Sequence, residues 1–584
     1  MLNNGDAKRE FKVGKEIIRG LGSFHKTLPH NKWGEVDPVA FAKLVAACES
    51  DGWGFADVPK GSDLPVPLDA APLTNPQAGL AFDRLVQFPG TYAMPPAPCV
   101  LSQTTAAEMT ELYWMALLRD LPFAQFGRNE LVEIAAIELD HRFRQALDEP
   151  FNPGRLQTGR DVPGPEGAMK KITAQNLFRL GLPGEDVGPW VSQFWLRDVP
   201  FGTQRIDQKQ QPYRSKLDYL TRYDEWLKVQ NIGKDEFGQA YSMSNQHSDL
   251  DFENQRRYIS TPRDMARFVN KAALHQACFN TCLILLAGGA HWTTGNPYRE
   301  GGRLAQRETG FAVLGQAHIL ALVSEVASRA LKVVWNQKWQ VHLRLRPEAY
   351  GGLVHVQTKG IGGPDGKRPY GLPKWVADTE AALRIRKTTG SLLLPMAYTT
   401  GSPIHPAYGA GHATVAGMCV TILKAFFQTF ETVNGKDVPI RFTYDKKHNP
   451  KGLTERVEPF GPATPISTYV PDIDGTEGIL TPLAEAVADQ LTIEGELNKL
   501  AMNVAMGCSM GGVHWRTDNT RSLLLGEALA ARVLADITID TNECPQFVFR
   551  SFARRADGEP KKINVRQGRI YVDENLAETN SSAL

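Results

Sequence analysis

A chain of 584 residues exceeds what one hydrophobic core ordinarily supports, so two structural regions or one large fused helical body are expected. Its 42% apolar and 22% charged residues belong to an ordinary globular protein and exclude a disordered or fibrous one. With 65 basic and 64 acidic residues the net charge is +1, which excludes a general nucleic-acid or anionic-membrane surface, so any anion site has to be a local arrangement.

The first residues, through Glu16, contain no apolar stretch of the secretory kind. The longest apolar run, Thr281 to Gly289, is too short to span a bilayer, and a soluble, cytoplasmic chain is the expectation. Residues 1 to about 100, rich in Pro and Gly, read as loops and short helices wrapped on a larger body. Thr105 to Glu108 reads as a capping box, followed by Met109, Leu112, Tyr113 and Ala116 on one helix face. The Arg- and aromatic-rich region from about 151 to 260 reads as packing between helices with paired surface charges. Thr261-Pro262, with Asp264 in the first turn, starts a helix predicted to run past Cys278 and Leu285 to Gly288-Gly289. A long helix is predicted from His318 to Leu345, ending at Arg346-Pro347 because the residue before proline avoids the helical region. Helices are also expected over His412–Phe427 and Glu494–Met506, and from a cap at Thr517 or Asp518 through Ser522 to Ala535. Phe547–Phe552 reads as part of a minor hairpin. The fold class is therefore mainly α, in helical bundles with minor β hairpins. The regions are 1–260 (mostly helical, packed on the core), 261–550 (the bundle carrying the site) and 551–584 (a tail).

Seven cysteines, at 48, 99, 278, 282, 419, 508 and 544, form no disulfide framework. Cys278 and Cys282 lie four apart on one helix face without a second pair to complete a zinc site, so they read as buried thiols.

Three segments carry chemistry. In Lys338-Trp-Gln-Val-His342-Leu-Arg344-Leu-Arg346-Pro347, Lys338 and Arg346 stand eight apart, a little over two helical turns, so both long side chains can lean toward one point. Alone, a basic helix end is ordinarily a solvated face. In His405-Pro-Ala-Tyr-Gly409-Ala410-Gly411-His412, glycines before a helix free successive N–H groups to face an anion, and the helix dipole adds to that. In Met510-Gly-Gly-Val-His514-Trp-Arg516-Thr-Asp518, a histidine beside two glycines can approach a bound ion closely, or it can be a core or capping histidine.

The ordered set of Lys…Arg-Pro, Gly-His-Ala and Gly-Val-His resembles the vanadium-dependent haloperoxidases, in particular their bromoperoxidase branch from algae and cyanobacteria, whose fold is shared with acid phosphatases of the phosphatidic-acid-phosphatase type. Asn75-Pro-Gln-Ala-Gly-Leu-Ala-Phe-Asp83, Glu111-Leu-Tyr-Trp-Met-Ala-Leu-Leu-Arg-Asp120 and Glu494-Gly-Glu-Leu-Asn-Lys-Leu500 are similar to that branch too, so the likeness covers most of the chain. The resemblance implies a vanadate cofactor ligated by His514, its oxygens held by Lys338, Arg346 and the Gly411 N–H, with His412 as acid–base partner. It implies hydrogen peroxide, bromide or iodide, and an organic acceptor as reactants. His405 stands where bromoperoxidases carry an extra histidine, which favours bromide and iodide over chloride. A homo-oligomer, dimer-based up to a dodecamer, is expected, without nucleic-acid or membrane partners. The calcium loop of some relatives looks absent, since Tyr298–Arg307 offers one carboxylate and three arginines, so calcium is not expected.

Two positions depart from the family pattern. Ala410 stands where the family has serine, and the lost hydroxyl bond amounts to about 0.5–1.5 kcal/mol. Cys508 stands where it has arginine, and losing a charge-assisted bond costs roughly 1.5–3 kcal/mol. Together they weaken oxyanion binding by about two or three orders of magnitude. Two rival readings follow: a phosphomonoesterase with His514 as nucleophile and His412 as general acid, and an oxyanion-binding protein disabled at Ala410 and Cys508.

Overall fold

Apolar residues at helical spacing, interrupted by proline and glycine, divide the chain into helices joined by long connections. The structure is a computed structural model that describes residues 6, 8–50, 52–62, 69–83, 89–147, 170–240, 251–362, 366–442, 468–472, 478–555 and 557–577. Residues 1–5, 7, 51, 63–68 and 84–88 of the amino-terminal reading, 151–169 and 241–250 of the Arg-rich region, and 556 and 578–584 of the tail lie outside these. After a hairpin of Glu10–Val13 with Glu16–Arg19 come α1 (Pro38–Glu49), α2 (Gln103–Leu117), α3 (Glu130–Leu147), α4 (Tyr223–Ile232), α5 (Pro262–Lys271) and α6 (Gln276–Ala287). Then follow α7 (Gln316–Asn336), a π-helical turn (Gln337–His342), α8 (Pro347–Thr358), α9 (Glu380–Thr389), α10 (Gly411–Phe426), α11 (Glu485–Ala488), α12 (Ile493–Met510) and α13 (Arg516–Asp540). The architecture is mainly α, as expected. Among the described residues no helix is long and apolar enough to cross a membrane.

Local chemistry explains where the helices start and stop. The box at Thr261 forms as predicted: Asp264 N donates to Thr261 Oγ1 at 3.1 Å and Thr261 N donates back to Asp264 Oδ2 at 3.2 Å. The long helix expected from it does not form. Ala272 turns extended, and the chain restarts at α6 after Gln276 Oε1 accepts the Ala273 N–H. α2 starts three residues before the expected box, at Ser102, whose Oγ accepts from Thr105 N. Glu108 is thereby released from capping and lies buried inside the protein. The helix expected to reach Leu345 stops at Asn336, widens into the π turn, and ends where Leu343 takes φ +48°.

α10 is the central helix, with every residue but His412 buried. α7, α12 and α13 pack around it, and α5 packs outside α12. The α10–α13 crossing is close because glycines face backbone: a Cβ on Gly526 would strike the Thr414 carbonyl, and one on Gly417 the Leu523 carbonyl. One hydrophobic cluster extends from Phe11 to Ile570. Phe547–Arg554 is longer than the expected minor hairpin and forms the edge of a four-stranded antiparallel sheet with Pro560–Arg566, Arg569–Val572 and Asn575–Leu576. The boundary drawn at 550 falls inside that strand. Phe549, Ile563 and Val565 are buried, so the sheet shares the helical core.

Because backbone atoms close this crossing, Gly526→Ala has to part α10 from α13. An overpacking cost of about 1–3 kcal/mol is expected, read as a lowered urea midpoint with unchanged slope.

Candidate active site

The site assembles where four chain segments end on the amino terminus of α10. Lys338 sits in the π turn, a wider coil that recurs at functional sites, closed by Leu343 N donating to Lys338 O at 2.9 Å. Arg346 is not on the same helix, contrary to the two-turn reading. It is the N-cap residue of α8, preceding Pro347 at the first helical position. The loop before α10 supplies His405 and Ala410, and α10 itself begins with Gly411 and His412. Cys508 lies in the last turn of α12, and His514 in the link to α13.

Hydrogen bonds draw these residues together. Lys338 Nζ donates to Pro406 O at 2.8 Å and Ala407 O at 3.2 Å. Arg346 donates through Nε to His405 O (2.9 Å), through Nη1 to Val513 O (2.7 Å) and His514 Nε2 (3.1 Å), and through Nη2 to His405 Nδ1 (2.9 Å). A guanidinium only donates, so His514 Nε2 and His405 Nδ1 are acceptors. His514 Nδ1 then carries the proton and donates to Asp518 Oδ2 at 3.0 Å. The same oxygen accepts Trp515 N–H at 2.9 Å, and Oδ1 accepts from Arg344 at 2.7 Å. Arg344 is bound in turn by Glu108 at 3.0 Å.

Lys338 is fully buried, and Arg346 and His514 are nearly so. Burial, and then Arg346, hold the Lys338 ammonium well below its ordinary range. Among the described residues Lys338 enters no ion pair, so two desolvated cations stand side by side, facing imidazoles. Burial, aided by Lys338 and Arg346, pushes His405 and His514 well below the usual histidine range. Burial and then Lys338 bring His412 down to about 4. Among the described residues its Nε2 is buried without a hydrogen-bond partner. Such a pocket suits a small oxyanion: the anion would repay the desolvation of Lys338 and Arg346 and bring a partner to His412 Nε2.

The structure brings Lys338, Arg346, His405, His514 and Cys508 together. Burial raises the Cys508 thiol to about 12 against the pull of Arg346 and Lys338, which places it beside both cations in its neutral form. Ala410 is fully buried, and its N–H donates to Ser522 Oγ at 2.8 Å. A Cβ on Gly411 would come within 3.2 Å of the Trp335 ring, so α10 presents bare backbone there.

Two contributors escaped sequence reasoning. Asp518 reads in sequence only as a helix cap. It does cap α13, but it also orients His514, a role that the i,i+4 spacing could have suggested. Trp335 lies tilted at 43° against His405 with centroids 4.9 Å apart, its ring 5.6 Å from Lys338 Nζ. Its place three residues before Lys338 is the only sequence signal.

No family model matches the sequence. Curated relatives do. The vanadium-dependent bromoperoxidase of Corallina pilulifera is 32% identical over 582 residues, covering 90% of this chain and 88% of the relative. That of Ascophyllum nodosum is 32% identical over 565 residues, covering 94% and 87%. Among solved structures, the homohexameric second vanadate-dependent bromoperoxidase of Ascophyllum nodosum superposes with a TM-score of 0.77 at 29% identity, over 99% of this chain and 88% of that one.

The carboxyl of Asp518 is held at about 2, against an ordinary 3.8: burial opposes this, and Arg344 and His514 prevail. A depressed folded value contributes stability that is complete above the unfolded value and lost as pH falls through the folded one. Asp518→Asn is expected to lose about 2 kcal/mol of that linkage at pH 7. The gap from the parent protein should narrow as pH drops from about 4 toward 2 in urea unfolding series.

Proposed function

The chain belongs to the vanadium-dependent bromoperoxidase family, and from that premise we propose that it oxidises bromide and iodide with hydrogen peroxide to a hypohalous-acid-like species that halogenates an organic acceptor. Vanadate is the cofactor of this reading. The observation that carries it is the fully buried Lys338 beside Arg346 at the amino end of α10, with His514 Nε2, which accepts from Arg346 and carries no proton of its own.

The residues fit the ion. His514, fixed by Asp518 with its proton on Nδ1, offers Nε2 as the metal ligand, because a metal-binding imidazole needs its other nitrogen hydrogen-bonded. Lys338, Arg346 and the Gly411 N–H would hold the oxyanion's oxygens. When bound, vanadate supplies a Lewis acid that polarises peroxide without changing oxidation state. His412 Nε2, buried and unpartnered, takes and returns the proton that peroxide must lose. An anion facing His412 would raise its basicity from about 4 toward neutrality. Lys338 directs positive charge at the bond being broken, and His405, locked by Arg346 with its proton on Nε2, lines the halide's approach. All of these residues fall between 338 and 518, inside the 261–550 region taken as the site-bearing unit. The assembly is proposed to be a dimer-based homo-oligomer of up to twelve copies.

Cys508 and Ala410 weaken this site in our reading. A neutral thiol at Cys508 brings no charge to the oxyanion, and the methyl of Ala410 brings no hydroxyl. Activity should therefore depend on added vanadate.

His514→Ala should retain no vanadium after incubation with vanadate and desalting, and should lose peroxide-dependent bromination of a phenolic dye. His412→Ala should keep vanadium while turnover falls about 10²–10⁴-fold. Vanadate-inhibited phosphatase activity without bromination would favour the phosphomonoesterase instead. Cys508→Arg should tighten vanadate at least tenfold, following about 1.5–3 kcal/mol from the charge-assisted bond. A vanadate titration of bromination rate checks it, and no tightening would mean that the pocket is rebuilt around the thiol.

A further inference from the structure

Beside the oxyanion pocket lies a second cavity, of about 480 Å³, between the 27–28 loop, residues 55–60 and the segment 71–77. Its wall is apolar at Leu28, Phe55, Val58, Ala71 and Leu73, and Lys60 stands exposed at its margin. Phe55 meets Trp339, the residue after Lys338, edge-on at 5.9 Å. Segment 71–77 is the partition between the two spaces. Leu73 and Asn75 line the cavity, while Thr74 between them bonds the other way: its N–H donates to Ile404 O at 2.9 Å, next to His405, and its carbonyl accepts Trp335 Nε1 at 3.2 Å.

Lys338, Arg346, His405, Gly411, Cys508 and His514 are buried, whereas Trp335 and His412 are partly exposed. An oxidised halogen leaving the pocket therefore passes Trp335, which is tied to the partition of the neighbouring cavity.

We propose that this cavity is the docking site of the organic acceptor, and that the acceptor is a small aromatic anion, a phenol bearing a carboxylate. This rests on the bromoperoxidase reading above. The volume suits one substituted ring, the apolar walls and the Phe55 ring accept its faces, and Lys60 pairs with its carboxylate. A closed apolar box would serve a neutral acceptor equally well, and the lysine at its margin selects the anion. The chemistry balances in two steps: bromide, hydrogen peroxide and a proton give hypobromous acid and water. The ring carbon then takes the bromine from oxygen while the ring proton and hydroxide leave as a second water. Holding the ring next to the exit raises its effective concentration where the short-lived oxidant emerges.

The probe is 3-(4-hydroxyphenyl)propionate, with its methyl ester as the neutral control, on the full-length protein. Calorimetric titration without peroxide or halide should give one saturable site for the carboxylate and weaker binding for the ester. Ala56→Trp, which fills the cavity from its exposed rim, and Lys60→Glu, which removes the charge-assisted bond, should each weaken carboxylate binding about tenfold or more. With vanadate, peroxide and bromide, KM for the carboxylate should rise by the same factor in both variants. Tri-iodide formation from iodide, measured with no acceptor, should stay at the parent rate. Absence of carboxylate binding to the parent protein, or identical KM values in all three forms, overturns the proposal. Carboxylate binding lost in the variants, in a protein that makes no tri-iodide, supports the cavity and overturns the bromoperoxidase reading.

Discussion

Lys338 and Arg346 lie side by side without water, and much of the surrounding structure exists to make that tolerable. An ammonium and a guanidinium side by side in a desolvated pocket repel each other and have lost their hydration. The protein answers with carbonyl oxygens: Pro406 and Ala407 accept from the lysine, and His405 and Val513 from the arginine. These carbonyls belong to two irregular links that no regular helix could have aimed this way. A bound oxyanion completes the neutralisation that neutral carbonyls only begin.

Behind the pocket stands a second layer with charge of the opposite sign. Asp518 is bonded at both oxygens, to Arg344 on one side and to His514 and the Trp515 amide on the other. Glu108 from α2 holds Arg344 and also accepts the Thr517 amide at 2.6 Å. Arg516 is clasped by Glu111 in the next turn of α2, through bonds of 2.5 and 2.7 Å. α2 thus anchors the start of α13 with two carboxylates, and the start of α13 orients the histidine. This explains why a segment more than two hundred residues from the pocket in sequence is buried so completely. Its polar residues are satisfied only in this assembled state, so the geometry of His514 depends on tertiary packing as much as on its own loop.

The central helix supplies the other half of the geometry. α10 enters the core with bare backbone at Gly411 and with glycine-mediated contact to α13, which lets the amino end of one and the start of the other meet at the pocket. The flanking helices fix its direction. A site made from helix ends and links, rather than from one element, needs this kind of rigid centre.

The sequence by itself determined the helical class, most element positions, the three segments that carry the chemistry and the family to which they point. Helical periodicity, caps, prolines and glycines are local signals, and histidine, lysine and arginine declare their chemistry wherever they fall. Tertiary structure alone decided how these segments meet. The eight-residue separation of Lys338 and Arg346 suggested one helix, but the π turn and the left-handed Leu343 break it, and the two cations converge across that break. Thr105 to Glu108 looked like a cap, yet Glu108 serves Arg344, because an ionic partner 236 residues away outweighs a local hydrogen bond once both are buried. Asp518 read as a cap and Trp335 as a helix residue, since neither spacing shows what lies across the fold. A burial-dependent partner is set by where the chain returns, and that is written in no single stretch of it.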